Sequence, residues 1–60
     1  MSERFCTSLR VVLDELDRVY RRELRDAIKR GIYREYRMGR GRLLLDAIEV
    51  LGDLEAEMCG

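Results

Sequence analysis

Ile32-Tyr33-Arg34-Glu35-Tyr36-Arg37-Met38-Gly39-Arg40-Gly41 is the stretch on which the architecture hinges. Apolar residues recur in helical steps on both sides of it, so the place where the chain reverses determines which residues face one another. Two readings are open. In the first, the chain turns at Gly31 and a second helix starts near Ile32 or Tyr33, carrying Gly39 and Gly41 as weak points. In the second, the first helix runs through Gly31 to Met38, and Gly39-Arg40-Gly41 is the turn.

Upstream, Phe5, Leu9, Val12, Leu13, Leu16, Val19, Tyr20, Leu24, Ala27 and Ile28 recur mainly in steps of three and four, which is one face of an α-helix. Ser2 or Thr7 is the candidate N-cap, and Glu3 suits the positive end of the helix dipole if Ser2 is the cap. The other end is more strongly marked. Lys29 and Arg30 sit where cations complement the last carbonyls, Gly31 can take the left-handed C′ conformation, and Ile32 can fold back on Ala27 or Ile28. Downstream, Leu44, Ala47, Ile48, Leu51, Leu54 and Met58 again step by three and four, predicting a helix from about Arg42 to Met58. Leu43, Leu45 and Val50 widen that stripe beyond what one partner helix covers. Gly52 interrupts it at a cost of about 1 kcal/mol relative to Ala, for which a close helix crossing is the reason considered.

The cysteines discriminate between the two turns. In an antiparallel hairpin, facing positions sum to about twice the turn centre, and Cys6 and Cys59 sum to 65. A turn at Gly31 and Ile32 brings them to the same open end, whereas a turn near Arg40 leaves Cys6 far beyond the last residue. With the C-cap signals, this favours Gly31. The expected fold is therefore all-α: one domain, 1–60, forming an antiparallel two-helix hairpin with irregularity at Gly39 to Gly41. Each helix of about 26 residues would be about 39 Å long.

A chain of 60 residues buries only about 60% of its unfolded surface when it folds alone, so its core is thin and a staple or a partner is expected. No His is present, and the two cysteines have no Cys-x-x-Cys spacing, so no metal and no cofactor is expected. Cys6 and Cys59 are either thiols in a reducing cytosol or a bridge, which is expected inside cells mainly in hyperthermophiles. Apolar runs reach three residues, as at Leu43 to Leu45, far short of a membrane span, and charges near the start break any secretory signal. A cytoplasmic location is the expectation. No catalytic set, phosphate loop or cleft is legible, so neither an enzyme nor a small-molecule substrate is expected.

Charge supplies the functional candidates. The chain is neutral overall, yet residues 18–42 hold ten cations against three anions, a net +7. Residues 1–17 carry −2, and those after Arg42 carry −5. Folding at Gly31 makes a rod with a basic tip and an acidic open end. Two rods lying antiparallel set each tip beside the partner's acidic end and bury Leu43, Leu45 and Val50, giving a homodimeric four-helix bundle. The layout is similar to Rop-like dimers of helical hairpins, without a shared motif. The preferred reading is a self-associating adaptor or regulator of another macromolecule. The alternative is a DNA- or RNA-binding module, or a dock for an acidic protein, using Arg30, Tyr33, Arg34, Tyr36, Arg37, Arg40 and Arg42. Against both stands a solvated face in which Asp26 pairs with Arg30 or Arg22, each pair contributing only about 0.2–0.5 kcal/mol.

Overall fold

The computed structural model describes residues 3–60 as three helices: α1 (Glu3–Arg30), α2 (Tyr33–Met38) and α3 (Arg40–Cys59). All three pack together, and α1 against α3 is the main contact. Ser2 lies outside the described residues. Thr7 is not a cap, because its hydroxyl donates to the Glu3 carbonyl oxygen at 2.9 Å from within the first turns.

The reversal after α1 is a complete Schellman closure. The Ile32 N–H donates to the Ala27 carbonyl at 2.9 Å and the Gly31 N–H to the Ile28 carbonyl at 3.2 Å. Gly31 holds φ at +73°, a conformation that side chains with a Cβ rarely adopt. Two helices of similar length with irregularity at Gly39 to Gly41 were expected; the irregularity is a full break at Gly39, which divides the returning arm in two. At the junction the Gly39 N–H donates to the Glu35 and Tyr36 carbonyls at 3.0 and 3.2 Å, closing α2, while its carbonyl accepts the Leu43 N–H at 3.1 Å and opens α3.

Gly41 supplies the reason for the break. It is buried, and a Cβ placed on it would lie 2.6 Å from the Tyr36 Cε2 and 2.8 Å from the Tyr36 carbonyl oxygen. The start of α3 thus passes directly over Tyr36. Gly52 plays no such part: a Cβ there meets nothing within 4 Å, so the close crossing considered for it is absent.

The two long helices run antiparallel along a rod measuring 43 × 16 × 12 Å. Three cross-connections set the register. Cys6 and Cys59 are joined by a disulfide with Cα atoms 5.8 Å apart. Arg10 meets Glu55 at 3.5 Å, and Arg40 meets Glu23 at 3.0 Å at the far end. The core between them is thin, as the length requires: Leu9, Ala27 and Tyr36 are the buried apolar side chains among the described residues. Leu13, Leu16, Tyr20, Leu24, Leu44, Ile48 and Leu51 are half-buried along the seam. No described helix is long and apolar enough to cross a membrane.

Candidate functional site

Three surfaces carry groups able to recognise another molecule. The first is the tip, where α2 is locked to both long helices by Glu23. One oxygen of its carboxylate accepts the Tyr36 hydroxyl at 3.1 Å and the Arg40 Nε–H at 3.0 Å. The Tyr36 ring sits 6.1 Å from the Tyr20 ring, tilted by 33°. Burial raises the Tyr36 phenol above its ordinary range, and the hydrogen bond to and charge of Glu23 push the same way. A shallow groove of about 270 Å³ beside this knot is lined by Glu23, Asp26, Ala27, Ile32, Tyr36 and Arg40.

This knot and its neighbours occupy most of the arginines that the sequence marked out. Arg30 pairs with Asp26 at 3.0 Å and Arg42 with Asp46 at 3.9 Å, while Arg40 is held by Glu23. Arg37 donates to the Tyr33 hydroxyl at 3.0 Å and lies 5.7 Å from the centroid of that ring. That hydrogen bond raises the Arg37 guanidinium further. Arg34 alone of these arginines has no partner among the described residues. Tyr36, expected as an exposed stacking ring, is buried because α3 covers it at Gly41. Tyr33 remains exposed.

The second surface is an apolar flank. Glu23 and Arg40 touch, so residues in helical register with each lie on the same side of the rod. Stepping back from Glu23 by four, seven and eleven gives Val19, Leu16 and Val12. Stepping forward from Arg40 by three, seven, ten, fourteen and eighteen gives Leu43, Ala47, Val50, Leu54 and Met58. Leu43 is 70% exposed, Val50 66%, Val12 46% and Met58 42%. Leu45 does not belong to this face. It follows Leu43 by two residues, about 200° around the helix, and is half-buried on the other flank. The grouping of Leu43, Leu45 and Val50 as one patch is corrected accordingly.

The third surface was not singled out by sequence reasoning, although its spacing is visible in hindsight. Arg18, Arg22, Arg25 and Lys29 recur in steps of four, three and four, and all four are exposed. Arg25 and Lys29 each stand two residues from the buried Ala27, about 200° around the helix, so the row runs along the outward side of α1. Arg18 touches Glu15 at 3.4 Å, whereas Arg22, Arg25 and Lys29 have no partner among the described residues. The basic tip is denser in arginine than this row, but pairing, which sequence density does not reveal, separates the two.

Among the described residues there is no group of three or more His, Cys, Asp or Glu placed to hold a metal ion. The chain matches no protein-family model, no curated protein and no solved structure.

Proposed function

We propose that this chain is a non-enzymatic helical hairpin that self-associates through its apolar flank into a dimeric four-helix bundle and serves as an adaptor or regulator of another macromolecule. The observation that carries the reading is the exposure of Leu43 and Val50 beside Val12 and Met58 on one side, with three buried apolar side chains among the described residues. Full burial of a Leu or Val side chain contributes about 1.5–3 kcal/mol. A two-fold interface buries the exposed part of each of these side chains twice, a gain of the same order as the association cost of about 4–15 kcal/mol.

Charge selects the orientation. An antiparallel pairing of rods lays the segment 18–42, net +7, along the partner's acidic ends, whereas a parallel pairing sets like charges together. The reading keeps a cytoplasmic location, where a Cys6–Cys59 bridge persists if the host stabilises intracellular disulfides, as hyperthermophiles do. Sedimentation equilibrium at micromolar concentration tests it. A species of about twice the 7.1 kDa chain mass is expected, and a pure monomer overturns the reading.

A further inference from the structure

From the row Arg18, Arg22, Arg25 and Lys29 we infer a second binding surface: the outward side of α1 is a docking ridge for the phosphate backbone of duplex DNA, contacted without regard to base sequence. The ridge is straight, because all four residues lie on one uninterrupted helix, and about 16 Å long at 1.5 Å per residue. Three of its four cations have no partner within the described molecule. They are therefore free for an external anion, unlike Arg30, Arg40 and Arg42 at the tip, which hold carboxylates.

The chemistry of the ridge narrows the occupant. A folded protein partner needs an apolar, desolvated centre for most of its affinity, and exposed ion pairs alone contribute about 0–1 kcal/mol each. One apolar side chain, Val11, lies in line with the row, seven residues and about two turns before Arg18, and Ile28 lies about 100° to one side, so no apolar cluster forms a centre. A polyanion needs no such centre, because release of condensed counterions supplies the affinity. An anionic membrane would require an apolar face to insert beside the cations, and the exposed apolar flank of α1 at Val12 lies about 100° around the helix from the ridge. Single strands are captured largely by stacking on aromatic rings, and the ridge contains none. The major groove of B-form DNA admits a helix, whereas that of duplex RNA is too narrow.

The neutral net charge does not prevent this. The acidic residues Asp46, Glu49, Asp53 and Glu57 recur on α3 in steps of three and four and are exposed. The 16 Å width of the rod is about two Debye lengths at physiological salt, so their field is largely screened at the ridge. The ridge exists within a single chain, so its test is independent of whether the chain dimerises.

Fluorescence anisotropy with a short labelled DNA duplex, titrated between about 50 and 200 mM salt, reads the inference. Phosphate contacts from the three unpaired cations give a slope of log K against log salt of about −2.7, a loss of roughly 40-fold across that range. In the triple variant Arg22→Gln, Arg25→Gln, Lys29→Gln the slope should fall to near zero and the salt dependence should be almost lost. An equal change in charge at the paired cations, Arg10→Gln, Arg30→Gln, Arg42→Gln, should leave the slope near that of the native chain. The charge-keeping variant Arg22→Lys, Arg25→Lys, Lys29→Arg should bind as the native chain does, with circular dichroism confirming equal helicity throughout. Absence of binding, equal weakening in both Gln variants, or tighter binding to single strands or duplex RNA overturns the inference. So does a ridge variant that loses salt-dependent self-association while DNA binding is unchanged, because the ridge then serves the acidic side of a second copy.

Discussion

The ring of Tyr36 lies so close to the bare Cα of Gly41 that an added Cβ would stand 2.6 Å from its Cε2 and 2.8 Å from its carbonyl oxygen. The ring edge can swing, but the carbonyl belongs to α2 and moves only with the backbone. Gly41→Ala should therefore destabilise the fold by about 1–3 kcal/mol despite the better helix propensity of Ala. Gly52→Ala, with nothing within 4 Å of the new methyl, should stabilise it by about 0.5–1 kcal/mol. Urea denaturation of both variants checks the opposite signs; a stabilised Gly41→Ala would contradict the packing described.

Cys6 and Cys59 are 53 positions apart, so the bridge closes nearly the whole chain. By loop-closure entropy it contributes about 4 kcal/mol, a large share of what so thin a core can supply. Cys6→Ser, or reductant added to the native protein, should lower the melting temperature by well over 10 °C, at about 4–8 °C per kcal/mol for a chain of this size. Mass spectrometry after alkylation without reduction should show no adduct.

Tyr36 gives the stability profile an alkaline limb. Its phenol has a folded-state pKa raised above the ordinary 10.0, by burial first and by Glu23 second. Above pH 10 the folded chain thus retains a proton that the unfolded chain releases, and stability falls as pH rises through that range. Tyr36→Phe should flatten this limb. At neutral pH it should destabilise by about 1 kcal/mol through loss of the hydrogen bond to Glu23. An unchanged slope between pH 9 and 11 would count against the buried phenol.

Val50 and Val11 are similarly exposed, at 66% and 62%, but lie on different sides of the rod. Val50→Glu should abolish self-association, and Leu43→Glu should do the same, because each places a charge in the proposed apolar interface. Val11→Glu should leave the sedimentation coefficient unchanged. Equal behaviour of the two valine variants would show that association is nonspecific.

The elements most legible in the sequence were those written in local pattern. The apolar steps from Phe5 to Ile28 and from Leu44 to Met58 mark the two long helices, and Lys29-Arg30-Gly31-Ile32 marks the stop that the Schellman bonds at Ala27 and Ile28 make. The grouping of Leu43, Leu45 and Val50 failed because total apolar surplus was counted without its angle around the helix. The arginine-rich tip was overvalued for a related reason. A run of charge is visible in one dimension, but Glu23, which neutralises Arg40 and holds Tyr36, is 17 and 13 positions away from them.

The sequence by itself determined the all-helical character, the place of the reversal and the charge polarity, because helix periodicity, capping and net charge depend on residues within a few positions of one another. The irregularity at Gly39 to Gly41 was legible as well, but the tertiary structure alone decided that Tyr36 is buried under Gly41 and which cations remain unpaired. Each of those outcomes depends on atoms from distant positions meeting within a few ångströms, and that proximity is created only when α3 packs back along α1.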